Sequence, residues 1–268
     1  MNIPMSISVP KQLECFSIQL HNSALSYSRL RPSRQKPSIM NSKFAGFPYL
    51  PKGAAYPKDV HGQFMLLLAQ INLAEANLPQ PFPAVGMLQF FISETCYEHG
   101  QFTKGHRQQY HFKVCYYPFL VPEQSTQSDF FFLHDVSRHA FPIQQEVGLT
   151  FSQHVEPVSA TDYRLHYFVT PYLQEQFSNE YGQYFEDIYF QHFSAADHKI
   201  GGYPYFIGKD ERVYSSALQQ YDTLLLQIVS NDEQGIMWGD CGVIKFLINE
   251  KKLSQGDFSD VYFYIENY

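Results

Sequence analysis

Lys43-Phe-Ala-Gly-Phe-Pro-Tyr-Leu50 returns in diverged form as Lys199-Ile-Gly-Gly-Tyr-Pro-Tyr-Phe206, 156 positions further on. Four of the eight positions are identical and the other four are conservative exchanges. Two more blocks keep the same order. Leu67-Leu-Ala-Gln-Ile71 matches Leu224-Leu-Leu-Gln-Ile228, and Gly86-Met-Leu-Gln-Phe-Phe-Ile-Ser93 matches Gly242-Val-Ile-Lys-Phe-Leu-Ile-Asn249. The pattern reads as an internal duplication. The expected fold is α+β and β-dominated, with two pseudo-symmetric strand-rich halves packed as one unit and a few helices. The first repeat falls at 38–117, intervening strands and a helix at 118–193, and the second repeat at 194–268, all in a single domain spanning 1–268.

The matched positions carry shape before chemistry. In Gly46-Phe47-Pro48 and Gly202-Tyr203-Pro204 the proline pushes the residue before it into an extended conformation, and the glycine allows a backbone angle that other residues resist. Each stretch reads as a bent entry to its unit. The runs Phe64 to Ile71 and Leu224 to Val229 are short and apolar on both sides, which suits buried central strands. Strands are expected again after Gly86 and Gly242, at Met87 to Ile92 and Val243 to Ile248, and then at Tyr110 to Tyr116 and Val261 to Ile265. Gln70 and Gln227 sit at matching points inside the apolar runs. A buried amide costs a few kcal/mol unless paired, so each is expected to bond the backbone of its own Gly-x-Pro stretch. Lining a ligand cleft is the alternative.

Outside the repeats, Pro10 to Asn22 reads as an imperfect amphipathic helix and Leu73 to Asn77 as a short one. Val169 to Tyr189 reads as one long helix, with aromatic and aliphatic residues spaced at three and four. Ser26 to Arg31 reads as an edge strand, and Phe130 to Leu133 and Val147 to Phe151 as strands of the middle region.

Composition bounds the function classes. The chain has 24 Phe and 20 Tyr, only 17% charged residues, and a net charge of −7. It has ample apolar surface to offset the entropy of ordering. Its acidity argues against a general affinity for phosphate backbones, so no nucleic-acid partner is expected. The one local excess of positive charge, Arg29, Arg31, Arg34 and Lys36, reads as a solvated edge. No basic leader with an apolar core opens the chain, and no run approaches the roughly 18 apolar residues of a membrane span. A soluble, cytoplasmic monomer with no membrane partner is expected. The four cysteines form no Cys-x-x-Cys pair and read as free thiols. A Cys96–Cys115 disulfide is conceivable if the two lie on paired strands.

The familiar catalytic templates are missing. There is no Gly-x-Ser-x-Gly elbow, Walker loop or dinucleotide fingerprint. None of the eleven histidines has metal-ligand spacing, so no metal or cofactor is expected. Candidate ligand contacts come from two places. Lys43 and Lys199, each preceding a glycine-rich bend, could meet an anion, with Tyr203 beside the second. The spacer Asn231 to Cys241 is where the second copy departs from the first. It holds the only tryptophan, Trp238, a flat apolar wall with an N–H donor, and the carboxylates Asp232 and Asp240, with Asp222 nearby. Scaffold roles compete with each reading: Trp238 as a core anchor, Asp240 as a turn cap, and the lysines as partners of carboxylates.

Several stretches together resemble the YwqG-like family of mostly bacterial proteins. They are Ser42-Lys-Phe-Ala-Gly-Phe-Pro-Tyr-Leu-Pro51, Leu68-Ala-Gln-Ile-Asn72, His198-Lys-Ile-Gly-Gly-Tyr-Pro204 and Trp238-Gly-Asp-Cys-Gly-Val243, with Phe141-Pro142, Glu156-Pro-Val-Ser159 and Asp257-Phe-Ser-Asp260. The resemblance runs from about residue 10 to the end. The family pattern has a second glycine where Ala45 stands, and it has Gln and an Asp-Pro-Arg turn where this chain has Gly208 and Asp210-Glu-Arg212. It implies no established activity and transfers no catalytic residues. The expected function is a non-catalytic binding protein that holds a protein or small ligand near Trp238, with a partner-neutralising, immunity-type role as one version. The alternative is an enzyme using Asp222, Asp232 or Asp240 as acid or base on a small anionic substrate.

Overall fold

The apolar runs become adjacent strands of one antiparallel sheet of ten strands, in a computed structural model that describes residues 6–93, 96 and 107–267. In chain order these are β1 (Leu25–Ser33), β2 (Lys43–Phe44), β3 (Leu66–Asn72), β4 (Met87–Ile92), β5 (Phe112–Tyr117), β6 (Val147–Glu156), β7 (Lys199–Gly201), β8 (Thr223–Val229), β9 (Val243–Ile248) and β10 (Val261–Glu266). Across the sheet they run β10-β9-β8-β7-β1-β6-β2-β3-β4-β5. β4 and β9 are buried along their whole length, and β3 and β8 at all but their ends. Strands covered on both faces need no alternation of polar and apolar residues, which is why these runs read as continuous.

The sheet curls until its two edges nearly meet. Phe112 of β5 stacks on Phe263 of β10 at 4.8 Å, and Phe90 of β4 packs on Phe246 of β9 at 4.8 Å. Gln109 bridges the seam: its Oε1 accepts from Val114 N and its Nε2 donates to Phe258 O. One continuous core fills the inside, from Leu30, Phe44 and Leu68 to Ile248 and Trp238. A second cluster lies outside the sheet. There Leu13, Phe16 and Leu20 meet Phe177, Phe185 and Tyr189 from two helices, Pro171–Tyr181 and Phe185–Phe193.

Three expectations change. β1 is not an edge strand; it lies at the centre of the sheet, paired with β6 on one side and β7 on the other. Phe130 to Leu133 is not a strand. Asp129 Oδ1 accepts from Phe131 N, and a 3-10 turn over Phe131–Leu133 buries Phe130 and Leu133 at a spacing of three. The long helix Val169 to Tyr189 is two helices, broken where Gly182 adopts φ +65 at the end of the first. Left-handed glycine is a common helix stop. Pro10 to Asn22 is helical as a 3-10 turn, Lys11–Phe16, running into an α-helix, Ser17–Asn22. The four cysteines are free, and the buried Cys96 Sγ donates to His111 O rather than bridging to Cys115.

Candidate functional site

Each Gly-x-Pro stretch lies over the outer face of the sheet and covers a buried lysine. Lys43 and Lys199 face Gln70 and Gln227 across their ladders. Gln70 Oε1 accepts from Tyr49 N while its amide donates to Ile39 O and Asn41 O. Gln227 Oε1 accepts from Tyr205 N while its amide donates to Ala195 O and Asp197 O. Both amides are therefore saturated by the backbone that enters and leaves the bend just after the proline. That removes the penalty for burying them. Ala45 holds a left-handed backbone (φ 55) where the second half has Gly201 (φ 77), which explains a preference for glycine there.

The lysines are counterions, not open anion sites. Lys43 Nζ donates to Glu146 Oε1 at 2.8 Å, and Lys199 Nζ to Glu156 Oε1 at 2.5 Å. Glu146 immediately precedes β6 and Glu156 ends it. Each carboxylate also fills the space above a glycine, since a Cβ on Gly46 or Gly202 would collide with Glu146 or Glu156. Burial pulls Lys43 and Lys199 below the usual lysine range, and their glutamates only partly offset it. Burial likewise pushes Glu156 up against the pull of Lys199. The third buried ammonium is Lys245, where the first half has Gln89. It pairs with Glu266 and lies 4.2 Å from the Phe206 ring centre and 5.0 Å from that of Tyr264. Burial holds it at about 8, against the opposing pull of Glu266.

The remaining sequence candidates do not converge. Trp238 is a core residue, only 1% exposed, so no cleft opens on its ring. Its backbone N donates to Ser230 Oγ. Asp222 Oδ1 accepts from Glu250 N and Thr223 Oγ1, which ties the residue just before β8 to the first residue of the helix Glu250–Ser254. Asp232 and Asp240 are exposed on the Asn231–Cys241 loop. The 510 Å³ cavity beside that loop is lined by Arg34, Gln144 to Val147 and Glu233 to Gly235, not by Trp238 or the aspartates. Tyr203 is buried: its hydroxyl donates to Ser23 O at 2.6 Å and its ring lies under the Arg164 guanidinium at 4.6 Å. Pro48, Pro204, Gly86 and Gly242 belong to the scaffold. Gly242 leaves no room for a Cβ beneath Trp238 O, and Gly86 (φ +109) leaves none against Tyr117 O.

Two features were missed by sequence reasoning. One is a buried ion network. Arg212 is fully buried and bonds Asp162 and Asp210, and Arg164 grips Asp162 through Nε and Nη2. Burial alone would raise Asp162, but Arg212 and Arg164 outweigh it and hold the carboxyl at about 2. The other is a cleft of about 640 Å³ over the first Gly-x-Pro stretch, walled by Phe47, Phe130, Phe131, Leu133 and Val136, with Asp129, His134, Arg138 and Glu146 among its polar groups. Phe47 stacks on Phe130 at 5.0 Å and stays 46% exposed, while Phe131 is 76% exposed. The signal was present in Phe130-Phe-Phe-Leu133, and reading that run as a strand hid it. Among the described residues no group of three or more His, Cys, Asp or Glu is placed to hold a metal.

The model of a family described as a domain of unknown function, DUF1963, matches residues 42–266. The chain belongs to the DUF1963 family. The match takes in both Gly-x-Pro stretches, the Lys–Glu pairs and the aromatic cleft, and β1 lies outside it. No curated protein matches this DUF1963 chain.

One consequence of this packing is acid sensitivity centred on His198. Its Nδ1 accepts from Val229 N, the place taken in the first half by Ser42 Oγ, which accepts from Asn72 N. Burial holds His198 down at about 4. At this site the unfolded chain protonates near 6.5 and the folded one does not, so the His198 contribution to stability is full above 6.5 and falls as pH drops toward 4. Asp162 continues the loss below 3.8, toward its folded value of about 2. Urea unfolding is expected to show about 2–3 kcal/mol lost between pH 7 and 4. The slope should flatten in His198→Ser, and an equal slope in that variant would rule His198 out as the cause.

Proposed function

We propose that this DUF1963 member is a cytoplasmic, non-catalytic binding protein of the YwqG-like type, built by internal duplication, and that it binds an apolar segment of a partner protein in the cleft at Phe47. The observation that carries the reading is the different fate of one repeated position. Tyr203 is sealed under the chain's own helices, beside Leu13, Phe16 and Phe185. Its counterpart Phe47 has no such cover and forms the wall of an open aromatic cleft. Large half-exposed aromatic rings around a concavity are the common anchor points of protein interfaces. Duplication is supported by the matched Lys–Gln pairs, the saturated amides, and the ladder irregularities in β3 and β8, at Leu67/Ala69 and Leu224/Leu226.

Catalysis has less support, because Asp162, Arg164, Lys199 and Lys245, charged groups with shifted pKa values, are paired inside the fold. A working acid or base needs access to a substrate as well as a shifted pKa.

The test is affinity capture from the native host with wild type and Phe131→Ala side by side. Phe131 is exposed, so its loss is expected to change stability by less than about 0.5 kcal/mol. The reading predicts a partner retained by wild type and lost by Phe131→Ala. An identical retained set from both proteins would remove the cleft as the binding site.

A further inference from the structure

The basic cluster Arg29, Arg31, Arg34 and Lys36 is not on an edge, and its first half lies on the outer face of the central ladder. Across that ladder Tyr27 faces His154, Arg29 faces Ser152, and Arg31 faces Thr150. Residues two apart on a strand share a face, so these six side chains form one array, two wide and three long. Its partner strand, β6, is preceded by Glu146 and ends at Glu156.

The array has two distinct ends. At one end the chain leaving β1 folds back, and Gln35 O lies 2.8 Å from where a Cβ on Gly148 would stand. The other end opens into a cavity of about 410 Å³ that takes in Tyr27, Arg29, Glu156, His192, Ser194 and Asp197. On the strands that flank this ladder, Lys199 and Lys43 are already neutralised by Glu156 and Glu146.

The donors are arranged, and one is uncommitted. Arg29 Nη2 is fixed by Asp197 Oδ2 at 2.5 Å and by the Tyr27 hydroxyl at 3.3 Å. The Tyr27 ring stacks on His154, whose Nε2 meets Ser152 Oγ at 2.8 Å. Arg31 is exposed, and among the described residues no carboxylate lies within ion-pair distance of Arg31, Arg34 or Lys36. His154 is held down first by burial and then by Arg29, with Asp197 opposing and Arg31 adding to the lowering.

We propose that this array is an oxyanion site, in which the Arg31 guanidinium, with the oriented Arg29, the Ser152 hydroxyl and His154, takes the phosphate or carboxylate group of a small ligand whose body extends into the cavity beside Tyr27. Guanidinium is suited to both groups through paired N–H donors, and its bonds to charged acceptors are the stronger kind. The site is independent of the aromatic cleft and stands or falls without it. It also explains why an acidic chain keeps four cations on one strand and its extension. Ser152 lies opposite Arg29, and His154 is the next residue on the same face of β6.

The test is an NMR titration of the full chain with inorganic phosphate and, separately, with acetate, each at an ionic strength held constant by chloride. Saturable movement of the His154 ring signals is expected, together with a rise in its proton affinity on binding. The arm that saturates identifies the oxyanion class. Arg31→Gln is expected to weaken binding about tenfold or more, while Lys251→Gln, an exposed cation elsewhere, leaves it unchanged. The site is overturned if His154 responds to phosphate and acetate no more than to chloride. It is equally overturned if Arg31→Gln binds as wild type does, or if Lys251→Gln weakens binding as much.

Discussion

Arg212→Met is expected to remove about 3–5 kcal/mol of folding stability, enough to leave a domain of ordinary stability marginal. The reason is asymmetric. The guanidinium bonds Asp210 through Nε and Nη2, Asp162 through Nη2 at 2.8 Å, and Tyr221 O through Nη1. Both carboxylate side chains are fully buried. Methionine fills much of the volume and restores none of the charge. Asp162 keeps Arg164, but Asp210 is left in the interior with only the backbone donors Arg212 N and Tyr163 N. Removing one partner of a buried pair costs far more than the pair contributes over an apolar replacement. Urea unfolding gives the number directly, and a loss below about 1 kcal/mol would mean that water reaches the site.

Trp238→Ala carries the second large effect, about 3–5 kcal/mol, as a large-to-small change in a packed core. Trp238 packs in the same cluster as Ile236, Ile244 and Phe263. Its backbone is fixed by Ser230 Oγ, and the glycine at 242 is required by Trp238 O. The exposed neighbour Asp240 is the control: Asp240→Ala is expected to stay within about 0.5 kcal/mol. A binding role for Trp238 would show the opposite pattern, with affinity lost and the unfolding midpoint unmoved.

The strands that a reader can find from sequence are those whose burial is dictated locally. Leu66–Asn72 and Thr223–Val229 are apolar on both faces, and Gly86 and Gly242 mark where the next strands begin, so the repeat made them legible. What could not be read was the neighbourhood of each strand. Ser26 to Arg31 alternates polar and apolar residues as an edge strand does, yet it is flanked on both sides because β6 and β7 arrive from far along the chain. The same limit hid the site chemistry. Lys43 and Lys199 stand out in the motif, but their partners Glu146 and Glu156 are 103 and 43 residues away, and nothing local announces them. Asp210 and Arg212 stood out only as a departure from a family pattern. Their partner Asp162 lies 50 residues from Arg212 in the chain. Trp238 misled for a compositional reason: a unique aromatic in a divergent spacer invites a site, whereas here it closes the core.

The seam at Gln109 bears on how the molecule behaves in a crowded solution. An antiparallel sheet ordinarily leaves two rows of unpaired backbone groups, each a template for a strand from another chain. Here the two rows face one another. The aromatic side chains Phe112 and Phe263 interlock between them, and one amide side chain takes the Val114 N–H that a foreign strand would seek. Each edge is thus the guard of the other. A chain cut before β10 would lose both guards at once and present a long apolar border, so resistance to aggregation in this fold is a property of its two ends held together.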